Sequence, residues 1–333
     1  MEAVARLRIG LVGLGYWGPN LARNFDELPD ADLVWICDAS EERLARFGAR
    51  FPSARTTGRF EDVLEDPDVD AVVIATPVPT HHALGLQALA AGKHIFVEKP
   101  LALTSREAEE LAALGEQRGL VVMPGHLLLY HPGVAKLKQL VETGELGDVL
   151  YVYGNRQNLG VIRANENALW SLGAHDISVI LHLVGEEPSE VFARGESYLQ
   201  PGVEDVVFCY LRFPSGVVAH MHLSWLDPHK MRKMTVVGRH KMAVFDDMEL
   251  DRKITVYDKA AEQQSANYGE WRTRTGDIYC PKVPNDEPLR LEAQHFVDLV
   301  RGAPGADEAR RMGVAVVRAL EQLQESLDRV GTR

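Results

Sequence analysis

A glycine-rich turn near the start of the chain has the residue types and spacing of a dinucleotide-phosphate site. The apolar residues 9–12 lead into Gly13-Leu-Gly15-Tyr-Trp-Gly18, and a helix-compatible segment follows. Gly13 suits a tight turn, Gly15 lets the backbone approach a pyrophosphate, and Gly18 lets a helix pack on the strand. The free N–H groups at the start of that helix would bind the phosphates.

An acidic residue follows the second apolar run at the distance that such sites use. Residues 33–37 are apolar, and Asp38 lies 20 positions after Gly18. An acid at the end of the second strand would bind the adenosine ribose hydroxyls. Ala39 and Ser40 come next, and no adjacent arginine could pair with a 2′-phosphate. The pattern therefore predicts NAD rather than NADP.

A lysine at the end of a later apolar run is a candidate for chemistry. Residues 94–97 lead directly into Glu98-Lys99-Pro100. A lysine at the end of a buried parallel strand, just before a proline, should point into the crevice at the carboxyl edge of the sheet. Most lysines are solvated surface charges, so position rather than residue type singles out Lys99.

The elements that must position these residues alternate between strands and helices up to about residue 125. Helix-length segments, one of them opening with a capping box from Thr104 to Glu107, separate apolar runs at residues 9–12, 33–37, 70–75, 94–97 and 120–123. Strands separated by helices predict a doubly wound parallel sheet of the Rossmann type, covered on both faces.

From about residue 147 the pattern changes to alternating runs without intervening helices. This alternation predicts an α+β domain with a broad, mostly antiparallel open sheet. Helices are predicted at 168–183, 289–300 and 310–330, and little regular structure at 263–285. We assign residues 1–125 to an NAD-binding domain and residues 126–333 to a substrate-binding and oligomerisation domain, whose last helices could pack back on the first.

Composition narrows the function classes. A chain of 333 residues suggests about two domains. The net charge of −12, from 36 basic and 48 acidic side chains, argues against a nucleic-acid binder. Because no apolar run is long enough for a membrane span and the first residues lack a signal-peptide pattern, we expect a soluble cytoplasmic protein.

Cysteines and histidines give no indication of a metal site. Cys37, Cys209 and Cys280 lie far apart, without the paired spacing of a disulfide framework or a thiolate site. Several histidines lie close together in the sequence but lack a third ligand at suitable spacing; these pairs are His81 and His82, His175 and His182, and His220 and His222. We expect no metal.

Four motifs together resemble the Gfo/Idh/MocA oxidoreductase superfamily. They are Gly13-Leu-Gly-Tyr-Trp-Gly18, Ala75-Thr-Pro77, the segment 92–100 ending in Glu-Lys-Pro, and Gly173-Ala-His-Asp176. The finer pattern of residues 158–177 is similar to the branch that contains bacterial sugar-nucleotide 3-dehydrogenases, which act on substrates such as UDP-N-acetylglucosaminuronate in surface-polysaccharide pathways. The resemblance implies NAD-dependent oxidation of a sugar hydroxyl to a ketone.

The same resemblance implies roles for single residues. Lys99 and His175 would form the catalytic pair. The dinucleotide would be lined by Gly13, Gly15, Tyr16, Trp17, Gly18, Asp38, Thr76, Pro77, His81, Glu98 and Lys99. Many family members carry aspartate four positions before the histidine, where this chain has Ser171. Serine holds no negative charge at neutral pH, which leaves open catalysis by the pair alone, an altered activity or a redox-silent relative.

The chemistry of alcohol oxidation fits the catalytic pair. The cofactor accepts a hydride, and the protein must supply a base. His175 could take the proton, since the ordinary pKa of histidine is about 6.5, and such help contributes roughly 10²–10⁴-fold. Lys99 could stabilise the alkoxide as an ammonium or act as the base itself. Further substrate contacts are predicted for Tyr130, Arg156, Asn158, Arg163, Asn165 and Ser171, with the arginines pairing with anionic groups.

The sequence is also compatible with two other functions, and it predicts one kind of assembly. The protein could oxidise a free cyclitol or monosaccharide, or it could sense NAD or a sugar without turnover. The broad second sheet should need a cover on its outer face, so we expect a homodimer or homotetramer formed through that sheet.

Overall fold

The computed structural model describes residues 6–164, 166–263 and 271–331, and the chain divides into two compact units. The first unit combines the residues up to Leu127 with Glu287–Arg318, and the second combines Leu128–Asp286 with the residues from Ala319 onward. The chain therefore returns to the first unit after building most of the second.

The first unit is organised around a six-stranded parallel sheet. Its strands and helices follow one another as β1 (Leu7–Val12), α1 (Gly18–Glu27), β2 (Ala31–Cys37), α2 (Glu41–Arg50), β3 (Arg55–Thr57), α3 (Phe60–Glu65), β4 (Ala71–Ile74), α4 (His81–Ala90), β5 (His94–Glu98), α5 (Ser105–Arg118) and β6 (Val122–Gly125). The strand order β3-β2-β1-β4-β5-β6 reverses direction between β1 and β4. This is the doubly wound Rossmann topology, and the prediction of its class is confirmed.

The second unit is organised around an eight-stranded sheet of order β14-β13-β12-β11-β7-β10-β9-β8. All its pairs are antiparallel except β7 with β10. Its elements are α6 (Pro132–Glu142), β7 (Val149–Gln157), α7 (Ala174–Val184), β8 (Glu190–Glu196), β9 (Val206–Arg212), β10 (Val218–Ser224), β11 (Met231–Gly238), β12 (Met242–Asp246), β13 (Ile254–Gln263) and β14 (Trp271–Tyr279). The predicted α+β domain is confirmed.

Two helices close the described chain, α8 (Pro288–Val300) and α9 (Ala306–Gly331). In the first unit, Phe296 of α8 packs edge-to-face on Phe25 of α1 and Phe96 of β5, with ring centroids 6.1 Å and 5.7 Å away. All three rings are buried, and each such pair adds about 0.5–1.5 kcal/mol beyond the burial of its area. These rings fix α8 over β5.

Local signals specify several element ends. At the start of α5 the predicted N-cap bond forms, since Thr104 Oγ1 accepts from Glu107 N at 3.2 Å, but the Glu107 carboxylate accepts from Leu103 N at 3.1 Å, one residue before the N-cap. Strand β4 (sequence AVVI) is buried along its whole length, as expected of a central parallel strand with both faces covered.

Two local expectations differ from the structure. The single helix predicted over 168–183 begins instead with a π-helical turn, Leu169–Gly173, and continues as α7. The prediction of little regular structure is wrong for β14, which pairs along β13. A cross-strand ion pair between Arg274 and Asp258 supports that pairing. Sheet pairing outweighs the low strand propensity of this polar sequence.

Candidate active site

The glycine turn after β1 leaves room only for backbone. Gly13 has φ +97°, and a Cβ there would lie 2.6 Å from the carbonyl oxygen of Ala75. A Cβ at Gly18 would overlap the carbonyl oxygen of Gly13, whereas one at Gly15 would meet no atom within 4 Å. Gly13 and Gly18 are therefore required by packing, and Gly15 leaves open space for a ligand, which fits a bound dinucleotide.

The side chains beside this turn differ in exposure. Tyr16 is 83% exposed, and Trp17, which precedes α1, is half-buried. Asp38 is buried at the end of β2, where its Oδ2 accepts from Leu14 N at 2.6 Å and its Oδ1 accepts from Ser40 N at 2.8 Å. The carboxylate thus connects the glycine turn to the start of α2.

Arg43, in the first turn of α2, was not identified by the sequence analysis. Its Nη1 lies 3.6 Å from Asp38 Oδ2, and its side chain is about half exposed. Five positions separate the two residues, so only the helical turn between them brings the guanidinium back to the carboxylate.

His81 holds together the loops after β4 and β5. Its Nδ1 and Nε2 lie 2.9 Å and 2.8 Å from the carbonyl oxygens of Pro100 and Thr76. The ring is buried, and this burial lowers the pKa of His81 despite the two carbonyls. His81 was predicted to contact the cofactor; with both nitrogens beside backbone carbonyls, it instead positions the loop of Thr76 and Pro77.

Lys99 follows β5 among titratable side chains. The Glu98 carboxylate accepts from Lys99 N at 3.2 Å. Burial raises the pKa of Glu98 to about 7, although the Lys99 charge opposes the shift. His126, just after β6, is buried with no hydrogen-bond partner for either ring nitrogen among the described residues. Burial, aided by the Lys99 charge, lowers the pKa of His126 to about 3, so this imidazole is neutral.

A second carboxyl group belongs to this cluster and was missed by the sequence analysis. Glu292 of α8 is 1% exposed, and neither carboxyl oxygen has a hydrogen-bond partner among the described residues. Burial, and then the charge of Glu98, raise the pKa of Glu292 well above its ordinary value. The sequence feature that could have identified Glu292 was its position one helical turn before the buried Phe296.

In the second unit, His175 is the second residue of α7, two residues after the π-helical turn ends at Gly173. The His175 ring is half-buried, and its backbone carbonyl accepts from Ser178 Oγ at 2.8 Å. Ser171 lies buried within the π-helical turn. Asn167 begins this segment, and its Oδ1 accepts from Trp170 N at 3.2 Å. Such π-turns occur frequently at functional sites.

Arg156, predicted to bind a substrate anion, has a different environment. It is 8% exposed, and its guanidinium makes a bidentate ion pair with Asp176, with Nη2 2.8 Å from Oδ1. A buried arginine that is already paired is a poor anion site, so we withdraw that role.

The remaining predicted substrate contacts lie at the surface or partly buried. Tyr130 is half-buried in the 3₁₀ turn Leu127–Tyr130. Asn158 is half-buried, and its backbone N donates to Ser224 O at 3.1 Å. Arg163 is exposed and pairs with Glu166 at 3.1 Å. Asn165 lies outside the described residues.

The described residues include no group of three or more metal-ligating side chains that could hold an ion. Across the same described ranges, no helix is both long and apolar enough to span a membrane.

Comparison with known proteins places both parts of the chain. Residues 7–126 match the oxidoreductase family with an NAD-binding Rossmann fold, and residues 134–244 match the GFO/IDH/MocA C-terminal domain. A similar curated protein is scyllo-inositol 2-dehydrogenase (NAD(+)) of Bacillus subtilis, 27% identical over 89% of this chain and 86% of that protein.

Two solved structures are similar along nearly the whole chain. UDP-N-acetylglucosamine 3-dehydrogenase of Acidithiobacillus ferrooxidans has a TM-score of 0.83 and 25% identity, covering 99% of this chain and 100% of that one. An enzyme from gentamicin A biosynthesis, solved in complex with NAD, has a TM-score of 0.80 and 26% identity, covering 98% and 96%.

Proposed function

This chain belongs to the GFO/IDH/MocA family and is an NAD-dependent oxidoreductase, and from that premise we propose that it oxidises a secondary hydroxyl, at ring C3, of a nucleotide-activated sugar such as UDP-N-acetylglucosaminuronate. The observation that carries the choice of substrate class is the full-length similarity to a UDP-N-acetylglucosamine 3-dehydrogenase. The product would be a 3-keto sugar ready for amination, made in the cytoplasm for surface polysaccharides.

The proposed cofactor contacts follow the carboxyl edge of the parallel sheet. Bound NAD supplies the hydride acceptor. The backbone at Gly13, Gly15 and Gly18 would hold the pyrophosphate, with Tyr16 and Trp17 beside it. Asp38 would bind the adenosine ribose, while Thr76, Pro77 and Glu98 would line the nicotinamide half.

In this proposal the protein moves one proton and stabilises one charge. The Lys99 ammonium would donate a hydrogen bond to the reacting hydroxyl and stabilise the alkoxide that develops on it. The His175 imidazole would accept the hydroxyl proton as the hydride leaves the same carbon. The balance is an alcohol and NAD⁺ converted to a ketone, NADH and a proton.

The proposed sugar contacts are those that remain after Arg156 is withdrawn. Arg163 would pair with the carboxylate or diphosphate, because its guanidinium is exposed. Tyr130, Asn158 and Ser171 would contact sugar hydroxyls. Because it would pair with an anionic group, Arg163 is the residue that would distinguish an anionic nucleotide sugar from a neutral polyol.

A second candidate function is oxidation of a free inositol. It is favoured by the similarity to scyllo-inositol 2-dehydrogenase, which extends over 89% of this chain. To distinguish the two, the protein would be incubated with NAD and a panel of UDP-sugars, dTDP-sugars and inositols while the absorbance of reduced nicotinamide is followed. We expect reduction with a UDP-sugar and none with inositols; the reverse pattern would replace the proposal with the second candidate.

We also propose that the open face of the eight-stranded sheet packs against a second copy of this chain. Phe192 of β8 and Phe208 of β9 are 50% and 53% exposed on the sheet. Phe208 stacks on His222 at 4.4 Å between ring centroids, and Tyr153 stacks on His220 at 5.1 Å. An aromatic surface that crosses several strands is unusual on a monomer, and self-pairing is the commonest solution.

A further inference from the structure

A buried ion pair joins β7 to the first turn of α7. Arg156 Nε donates to both carboxylate oxygens of Asp176 at 3.1 Å, and Nη2 donates to Oδ1 at 2.8 Å. Both residues are buried, at 8% and 3% exposed. The planar guanidinium thus fixes the position and the orientation of the carboxylate, which a single point charge could not do.

The pair packs against β7 and a small cavity. Asp176 lies over Gly154 of β7, where a Cβ would make an ordinary contact with the Asp176 Cγ at 3.5 Å. A small cavity beside the pair is lined by the apolar side chains of Leu128, Val179, Met234 and Phe245 and also by Arg232 and Lys233. Because the pair is buried, an uncompensated charge on either partner would be strongly felt.

The other charged groups around this cavity have partners of their own. Arg232, directly opposite Arg156 in the β7–β11 pairing, lies 3.3 Å from Asp247. Lys233 lies 2.9 Å from Asp246. His131 also pairs with Asp247, at 3.3 Å, and its hydrogen bond is the main cause of the lowered pKa of that carboxyl. Cys209 is buried, and its pKa is raised by burial and by the Asp176 charge, so it stays a neutral thiol.

The buried pair needs an explanation other than stability. Removing two charges from water costs about as much as their attraction returns, so apolar residues could replace the pair without loss of stability. Its location suggests the reason. Asp176 immediately follows His175, and the segment before both is a π-helical turn rather than a regular helix. The first turn of α7 thus continues directly from a π-helical turn, whose wider hydrogen-bond pattern differs from that of α7.

We propose that Arg156 and Asp176 are positioning residues for His175: their bidentate pair fixes the first turn of α7 on β7, and the pair itself adds no net charge next to His175. This inference rests on the proposed role of His175 in proton transfer. In this inference Arg156 affects the catalytic step only by positioning His175, and it does not contact the substrate.

The geometric part of the proposal is tested with Arg156→Lys, which keeps the charge but loses the bidentate contact. We expect kcat to fall between about tenfold and a hundredfold, because small displacements of a catalytic group are costly, while KM changes less than about twofold. Arg239→Lys, in the exposed pair with Asp148, is the matched control and should keep both constants. If the variant instead changed KM and left kcat unaltered, Arg156 would be a substrate-binding residue, and the positioning role would be overturned.

The electrostatic part is tested by removing each charge in turn. Asp176→Asn leaves a buried positive charge, which favours the neutral imidazole, so the rise of kcat/KM with pH should move to lower pH. Arg156→Met leaves a buried negative charge and should move it to higher pH. Each shift should be about one pH unit, and Arg156→Met combined with Asp176→Asn should return the profile to its original position.

A direct titration of the His175 ring by NMR, without substrate, separates this inference from the proposed function. Opposite shifts in the two single variants without any alcohol oxidation would support the pair and reject the dehydrogenase. If the pKa of His175 shifted equally in the two single variants, or did not shift at all, the proposal that the pair acts on His175 would be overturned. If one of the single charge-removing variants does not fold, the test uses Arg156→Lys and the variant that combines Arg156→Met with Asp176→Asn. Wild-type kcat in both would also overturn the proposal.

Discussion

Lys99 lies among buried titratable side chains of the first unit. Burial raises the pKa of Glu98 to about 7, and burial with the Lys99 charge lowers the pKa of His126 to about 3. The pKa of Glu292, beside Glu98, is also raised well above its ordinary value. An ammonium in such surroundings can interact strongly with a developing alkoxide.

Replacing Lys99 with methionine removes that charge and keeps the length of the side chain. We expect kcat to fall by at least about 10²-fold, the scale of losing one electrostatic stabiliser of the transition state. NADH should still bind, as measured by the fluorescence of reduced nicotinamide, because the glycine turn is unchanged. Near wild-type turnover in this variant would remove Lys99 from the mechanism.

The sequence predicts residues whose neighbours are near in the chain and fails for those with distant partners. Lys99 and Asp38 could be placed because each follows a recognisable strand. The partner of Arg156 could not, since Asp176 lies 20 positions away and meets it only through the packing of α7 on β7. Glu292 was missed for the same reason, because its environment is created by β5.

Among the elements, the turn between β1 and α1 gives two glycines different physical roles. Gly13→Ala forces a side chain into a left-handed backbone conformation against Ala75, so both stability and NADH affinity should fall, with about 1–3 kcal/mol lost in unfolding free energy. Gly15→Ala meets open space, so only NADH affinity should fall, by at least about tenfold.

Thermal unfolding and NADH titration of both variants test this distinction. Gly216→Ala, at φ +89° in a turn of the second unit, is the control that carries backbone strain alone. It should lose stability and keep its affinity. Unchanged NADH affinity in Gly15→Ala would show that the cofactor does not approach this turn.

Helix α8 carries a buried acid whose proton makes stability depend on pH. The pKa of Glu292 is raised in the folded protein, by burial and then by Glu98, so the folded state keeps a proton that the unfolded chain releases. Stability is therefore highest below the unfolded value of about 4.3 and declines as pH rises toward the folded value. Glu292→Gln removes this contribution.

Chemical denaturation between pH 5.5 and 7 measures the effect. The unfolding free energy of the wild type should fall more steeply with pH than that of Glu292→Gln, toward a limit of about 1.4 kcal/mol per pH unit for one proton. Glu116→Gln, at an exposed position of α5, should follow the wild type. Parallel curves for wild type and Glu292→Gln would mean that Glu292 is ionised in the folded protein.

Whether a segment forms a helix or a strand was predictable where its apolar residues repeat with one clear period. It was not predictable where pairing with another segment decides the structure. The alternation of strands and helices in the first unit is visible in the sequence because five of its six parallel strands are mostly apolar; the polar strand β3 was not predicted. The π-helical turn and β14 were not predictable. One depends on Asn167 and the packing of one turn, and the other on β13 as its partner.

For the whole molecule, the open sheet face determines the assembly that we propose. Phe208 lies on that face, on the strand next to the edge strand β8, and is half exposed, so Phe208→Glu should place a charge in the interface and yield a monomer by light scattering. Arg239→Glu, in the exposed pair with Asp148 beyond the end of β11, should leave the assembly intact. A monomeric wild type would contradict the proposal at once.

The two-domain fold class followed from the sequence, as did the expectation that the last helices could pack back on the first domain, but the residues that do so were not specified. An apolar stripe on a helix indicates that one face is buried without naming its partner. Helix α8 and α9 as far as Arg318 therefore belong to the first unit although they follow every strand of the second. Phe296 shows the cause, since its partners Phe25 and Phe96 come from the start of the chain.

The most direct test of the account is the rate of NAD reduction with UDP-N-acetylglucosaminuronate, for the wild type and for His175→Ala. We expect turnover by the wild type and a kcat at least about tenfold lower in the variant, the low end of a general base's contribution. His229→Ala, at an exposed position of the second unit, should match the wild type. Absence of turnover with every nucleotide sugar, or equal rates with and without the imidazole of His175, would contradict the account.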